Sequence, residues 1–288
     1  MQWLCLLTDW GLNDPHVAEL KARLWTELPE ARILDITHTA PRHDLYSAAY
    51  ILADFFQYSP PESIHIVGIN DISPNLEETA HVVVRVDDRY IISTDNSLFP
   101  LFFFLLGKKP QFIIKIATYQ HYEDISVLTS PARDLFAKVA GMVAKGNLEE
   151  IGTPMDHLQS VQMSGAFLRL LAERGPDGSQ IGLRLVGKIL FVDGYGNVIS
   201  DITRQKYNEC VRQYPYITLS LKKQRVPQAA MVDFYPAVEE GDVAMIFLKN
   251  DLLEISVNQG SCAKLYGLKR GDEVQLVFKD VPAKPIKV

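Results

Sequence analysis

Cysteine is scarce in this chain: Cys5, Cys210 and Cys262 are the three among 288 residues, far apart and with no CxxC pair. So sparse and odd a set supplies neither a disulfide framework nor a thiolate metal site, and it fits a reducing cytoplasm. The seven histidines never fall at a ligand spacing such as HExxH, so no metal is implied. Basic charge is short as well: 29 Lys and Arg against 35 Asp and Glu leave a formal charge of −6. A general nucleic-acid binder needs a basic face to neutralise phosphates, which sets that class aside. The short clusters LKKQR and LKR read as solvated turns. Long apolar runs are missing too. The greasiest segment, PLFFFLLG at 100–107, falls far short of the roughly 20 residues that span a membrane and reads as a buried helix. The opening MQWLCLLTDWG is interrupted by Asp9 too soon to read as a signal peptide. What remains, 47% hydrophobic and 22% charged, fills a core of one large domain or two ordinary ones.

Two rhythms divide the chain. Over residues 1–160, apolar runs alternate with helix-period segments. WLCLLTD, RILDIT and SIHIVGI read as strands, and HVVVRVDDRYIIST as two strands around an Asp-Asp-Arg turn. Between them, DPHVAELKARLWTEL sets Val17, Leu20, Leu24 and Leu28 on one helical face, with Pro15 suited to a first turn. DLYSAAYILADFF repeats the pattern, and PARDLFAKVAGMVAKG is bounded by Pro131 and Gly146. This alternation predicts an α/β domain with a mostly parallel sheet. Residues 161–180, with ERGPDGSQ, read as a linker. From 181 to 288 short β runs dominate (LRLVGKILFVD, NVISDI, ITLSL, VAMIFL, LLEISV, EVQLVF), and only SCAKLYG looks helical. That predicts a small antiparallel, barrel-like β domain.

Polar residues gather where strands end, and ligands of a parallel sheet bind beyond the carboxyl ends of its strands. Asp9 ends the first strand in LLTDWG. Asp95 and Asn96 end another in IISTDNS, and the GINDIS loop ends a third. In the β half, FVDGYGN sets Asp193 and Asn197 around a Gly-rich turn. Each has a plain structural alternative: a helix cap for Asp9 or for Asp95–Asn96, a hairpin turn for Asp193 and Asn197.

Taken in order, LLTDWG, ILDITHTAPRHDLYSAAYIL, IISTDNSLF, PARDLFAKVA, FVDGYGNVISDI and LLEISVNQGSCAKLYGLKRGDEV resemble the S-adenosylmethionine hydroxide adenosyltransferases, relatives of the fluorinating and chlorinating enzymes. The resemblance runs over almost the full length. It implies an N-terminal α/β domain followed by a β domain. It also implies a homotrimer binding its substrate between the N-domain of one subunit and the C-domain of the next. No cofactor is expected, S-adenosylmethionine being the substrate. The implied reaction is displacement at C5′, with methionine as leaving group. The protein must grip both ends, align the nucleophile and strip its water. By resemblance Asp9 holds the ribose diol, Asp193 and Asn197 the methionine ammonium and carboxylate, and Asn258 the adenine. His43, before Asp44, stands where some relatives place a Trp beside the ribose.

The resemblance breaks at the nucleophile. The family's hydrolases carry an Asp–Arg–His set in a VDPGVG…R loop and an HGRD segment. Here Asn70 aligns with that Asp and Glu77 falls near the Arg, or a shift by one brings Asp71 into register and leaves Glu78 opposite the Arg. HGRD has become PARD, with Pro131 in place of His and Arg133 and Asp134 retained. Asp71, Glu77, Glu78 and His81 are the replacement bases on offer, since a base needs only reach and a suitable pKa. A Glu in place of the Arg would repel a halide, which argues against halogenation. Three readings follow: a slow hydrolase giving adenosine and methionine, a non-catalytic nucleoside or S-adenosylmethionine binder, and an enzyme of the same scaffold with another substrate.

Overall fold

A computed structural model describes residues 1–72, 80–117, 129–158 and 168–281. The chain divides into two compact units, Met1–Met163 and Ser164–Val288.

The first unit is a sheet sandwiched between helices. Its strands are β1 (Trp3–Thr8), β2 (Arg32–Thr37), β3 (Ile64–Gly68), β4 (His81–Val86), β5 (Arg89–Thr94), β6 (Phe112–Ile116) and β7 (Gly152–Pro154), in the spatial order β2-β1-β3-β5-β4-β6-β7. The block β2-β1-β3-β5 is parallel, and β4, β6 and β7 complete the sheet in antiparallel fashion. Strand alternation sends β1 side chains to opposite faces. Leu4 and Leu6 join a core with Leu20 and Leu24 of α1 (His16–Glu27) and Val139 and Val143 of α4 (Ala137–Lys145). Leu7 joins a second core with Leu52 and Phe56 of α2 (Leu45–Phe56) and Phe99 and Phe102 of α3 (Leu98–Leu106).

The expected helices form, and their ends follow the expected chemistry. Asp44 caps α2 by accepting from the Tyr46 and Ser47 amides, while Gly146, at φ 79°, closes α4 in the left-handed region. The greasy segment forms α3, which buries Leu98, Phe99, Leu101 and Phe102. Among the described residues no helix is long and apolar enough to cross a membrane.

The second unit is a curled, mostly antiparallel sheet. Its strands are β8 (Arg169–Arg174), β9 (Gln180–Val192), β10 (Val198–Thr203), β11 (Tyr216–Leu221), β12 (Gln224–Arg225), β13 (Ala230–Met231), β14 (Val243–Phe247), β15 (Leu252–Val257) and β16 (Glu273–Lys279). Leu185, Ile189, Leu219, Ile255, Leu276 and Phe278 form its core. Two details differ from expectation. Arg169–Arg174, inside the stretch read as linker, is a strand hairpinned onto β9. Its side chains are almost all exposed, so it carries no apolar alternation to reveal it. Arg204–Val211 forms a helix, α5, beside the expected α6 (Cys262–Leu265). The Thr203 hydroxyl caps α5, but only Tyr207 and Cys210 are buried, too short a stripe to register as a period.

Candidate functional site

The parallel block ends its strands on one edge, and the polar residues gather there. Asp9 follows β1 directly and is 8% exposed. Its Oδ2 accepts the His43 backbone N–H at 2.7 Å, which ties the β1 end to the loop before α2. His43 adopts a left-handed φ of 57° to make that turn. Thr8 Oγ1 lies 2.8 Å from His38 Nδ1, and the Gly11 amide donates to the His38 carbonyl, so the ends of β1 and β2 are laced together. Asp9, Trp10, Asp14, His16, Arg42 and His43 line a cavity of about 260 Å³.

A second cavity adjoins it, about 220 Å³, lined by Trp10, His16, Asp71, Ile72, Thr129, Ser130 and Arg133. The loop after β3 chooses its acid here. Asn70 takes φ 48° and is exposed, which leaves Asp71 buried at 6% exposure. Asp71 Oδ2 accepts the Ala132 N–H at 3.2 Å, at the start of the helical segment beginning at Pro131, whose first turn, Ala132–Phe136, is a π-helix. Burial pushes the Asp71 carboxyl above the usual carboxylate range. The amides of Ala132 and of Asp71 itself oppose that rise, and the nearby Asp9 charge adds to it. Gly68 makes the close packing possible: a methyl group there would stand 2.9 Å from Ala132 Cβ and 3.3 Å from Trp10 Cζ2. Arg133 grips Asp134 with two hydrogen bonds, at 3.0 and 2.6 Å, and reaches Glu19 at 2.9 Å.

The other expected residues fall elsewhere. His81 is buried in the core, edge-on to Phe136 at 5.4 Å, and burial lowers its pKa to about 4. Its Nδ1 lies 3.1 Å from the Thr94 hydroxyl. That hydroxyl donates to the Asp71 carbonyl, so the imidazole is the donor to Thr94. His81 thus supports the Asp71 backbone and lines neither cavity. Asn96 acts as a fastener, accepting from the Leu98 amide and donating to the Ile69 carbonyl. Asp95 is buried, with its amide on the Ala80 carbonyl. Neither lines the two cavities. Glu77 and Glu78 lie outside the described residues.

The second unit holds its own cavity, about 610 Å³, lined by Asp193, Tyr195, Asn197, Tyr235, Val257, Asn258, Gln259 and Gly260. Asp193 and Asn197 build the turn and line the cavity at once. Asp193 Oδ1 accepts the amides of Tyr195 and Asn197, and Oδ2 accepts Asn197 Nδ2 at 3.0 Å. Asn258 Nδ2 donates to the Val238 carbonyl. Two tyrosines supply flat walls, Tyr195 at 84% exposure and Tyr235 at 41%. Burial, then the hydrogen-bonded Glu254 carboxylate, push the Tyr235 phenol up to about 12. Among the described residues no cluster of His, Cys, Asp or Glu is placed to hold a metal ion.

Sequence reasoning missed Trp10, His16, Arg42, Tyr195 and Tyr235. The one available signal was position: Trp10 lies two residues past the end of β1, and His16 opens the helix that follows.

An α/β unit with acids at its parallel-strand ends, followed by a curled β unit with a polar, aromatic cleft, defines the class. The chain belongs to the S-adenosylmethionine hydroxide adenosyltransferase family. The family's N-terminal domain matches residues 4–152 and its C-terminal domain residues 187–275. A relative from Thermus thermophilus, an (R)-S-adenosyl-L-methionine hydrolase, is 27% identical over 282 residues, covering 96% of this chain and 100% of the relative. Another hydrolase of that name, from Methanocaldococcus jannaschii, is 26% identical, covering 96% and 95%. Among solved structures, an uncharacterized conserved protein from Thermotoga maritima shares the fold with a TM-score of 0.79 at 22% identity, covering 96% of this chain and 99% of that one. A conserved hypothetical protein from Thermus thermophilus gives a TM-score of 0.69 at 26% identity, covering 96% and 100%.

Proposed function

We propose that the protein binds S-adenosylmethionine and hydrolyses it at C5′ to adenosine and methionine. The observation that carries this reading is the pairing of two adjoining cavities at the strand ends, one holding Asp9 and the other Asp71, with Trp10 and His16 lining both. A carboxylate suits a ribose diol because it accepts from both hydroxyls, and Asp9 keeps acceptor capacity beyond its bond to the His43 amide. A nucleophilic water then occupies the Asp71 cavity. The sulfonium is already an excellent leaving group, so the protein's task is alignment and desolvation. Asp193, Asn197 and Asn258 hold the remaining polar groups of the ligand, and the exposed tyrosines stack on the purine. The working assembly is a homotrimer, with substrate held by the N-terminal unit of one subunit and the C-terminal unit of its neighbour.

One observation favours a second reading, a nucleoside or S-adenosylmethionine binder without turnover. Arg133 is engaged by Asp134 and Glu19, and Pro131 offers no side-chain donor or acceptor beside it. Losing groups that act on the attacking water lowers rate more than ground-state affinity. The two readings part in one assay. Concentrated protein is incubated with S-adenosylmethionine, and adenosine is quantified against a no-protein control and an Asp9→Ala control. Adenosine above both supports hydrolysis. Its absence, with nucleoside binding retained, leaves the binder.

A further inference from the structure

Of the two side chains that line both cavities of the first unit, Trp10 and His16, the histidine is the one that can take up a proton. His16 is the first residue of α1, set by Pro15 directly ahead of it, and lines the Asp9 cavity and the Asp71 cavity alike. Its ring is 54% exposed, with the Trp10 indole edge-on at 6.2 Å. Nδ1 lies 3.6 Å from Glu19 Oε2 and Nε2 lies 3.9 Å from Asp14 Oδ1, both beyond hydrogen-bond distance. Both carboxylates stand at ion-pair distance without a hydrogen bond to the ring, so neither ring nitrogen is tied up by one. Glu19 is itself held by Arg133 at 2.9 Å, and the ring lines both cavities.

Resting on the hydrolase reading above, we propose that His16 accepts the proton of the attacking water. If Asp9 grips the ribose, C5′ projects from the Asp9 cavity, and its nucleophile must come from the adjoining space. His16 stands on the boundary between the two. Asp71 shares that space, but it is buried and its Oδ2 is committed to the Ala132 amide, which suits it to orienting the water. In the step itself, the water oxygen forms a bond to C5′ as the C5′–S bond breaks. The electron pair leaves with sulfur, so the sulfonium becomes the neutral thioether of methionine. The attacking oxygen sheds one proton to an imidazole nitrogen of His16, leaving adenosine and an imidazolium flanked by Asp14 and Glu19. Once adenosine and methionine have left, the reopened site lets the ring return the proton to solvent before the next turnover.

The test compares wild type, His16→Ala and Asp9→Ala for adenosine release from S-adenosylmethionine and for adenosine affinity by calorimetry. General-base removal costs about 100-fold or more in rate. His16→Ala is expected to lose kcat by that factor and keep adenosine affinity within about threefold, since its loss should fall on the transition state. Added imidazole is expected to restore part of the His16→Ala rate and none of the Asp9→Ala rate. Undiminished kcat in His16→Ala overturns the assignment, as does a rise in KM alone, which would make His16 a gripping residue. Failure of imidazole rescue also overturns it. A wild-type protein that binds adenosine yet releases none from S-adenosylmethionine overturns the hydrolase reading, and the role of His16 falls with it. Turnover that survives His16→Ala removes His16 alone.

Discussion

Replacing Asp9 separates ligand grip from chain folding. The Asp9 carboxylate does two jobs: Oδ2 accepts the His43 amide at 2.7 Å, and its remaining lone pairs face the cavity. Asn in its place keeps a carbonyl oxygen for the His43 amide but loses the charge and one acceptor. A hydrogen bond to a charged group contributes about 1.5–3 kcal/mol. At about 1.4 kcal/mol per factor of ten, Asp9→Asn is expected to weaken adenosine binding roughly 10- to 100-fold. Asp9→Ala removes both acceptors and should weaken it by about 100-fold or more. Calorimetric titration with adenosine, alongside thermal melting of each variant, reads both effects. A melting temperature near wild type in Asp9→Asn, lower in Asp9→Ala where the His43 amide loses its acceptor, with affinity reduced in the order Asn then Ala, supports the assignment. Affinity for adenosine within about twofold of wild type in Asp9→Asn would remove Asp9 from the ribose site.

Other expectations follow from the same geometry. Burial pushes the Asp201 carboxyl from an ordinary 3.8 to about 6. The folded state thus holds that proton more tightly than the unfolded chain, and its stabilising contribution, complete below the ordinary value, is lost as pH climbs to about 6. The loss is on the order of 3 kcal/mol. Asp201→Asn should flatten that slope, and urea titrations at pH 4 and pH 7 that show parallel shifts for both proteins would contradict it. Gly68→Ala forces its methyl into Ala132 and Trp10. It should impair adenosine release more than Gly107→Ala, a change in open space at a helix end, although the left-handed φ there makes the latter cost stability too. Equal adenosine release from the two variants would show that the β3–helix contact does not shape the site. Light scattering should return three times the 32.5 kDa chain mass, and a monomer at micromolar concentration would defeat the trimer proposal.

Period and punctuation made much of the fold legible. The stripe Val17, Leu20 and Leu24, the run of β1 and the Pro131 and Gly146 boundaries each follow from burying one face of a regular element. Where burial is thin the pattern fails, as in the exposed strand Arg169–Arg174 and the two-anchor helix Arg204–Val211. Strand ends and turns pointed to Asp9, the loop with Asp71, Asp193 and Asn197, and the resemblance added His43 and Asn258; all of these line cavities, whereas Asp95 and Asn96, also at a strand end, line neither cavity of the first unit. Asn70 against Asp71 was not decidable from sequence, because a one-residue slip within a loop leaves no periodic trace. The structure separates them through a single left-handed residue. His16 was overlooked because a polar residue at the start of an amphipathic helix resembles any solvated first turn. His81, whose residue type suggests chemistry, is spent on holding Thr94.

The DGYGN turn has a bearing on how such a protein can change. Gly196, at φ 86°, lies so close to Ser261 that a methyl group would stand 1.9 Å from its Oγ, and the Ala263 amide donates to the Gly196 carbonyl. The turn carrying Asp193 and Asn197 is therefore fused to the segment just beyond Asn258, Gln259 and Gly260 of the same cavity wall. A change that reshapes one stretch of that wall presses on the other. A transplant of either one from a relative would carry the wrong half of a matched pair, and in a lineage of such proteins the two should be inherited as a single module.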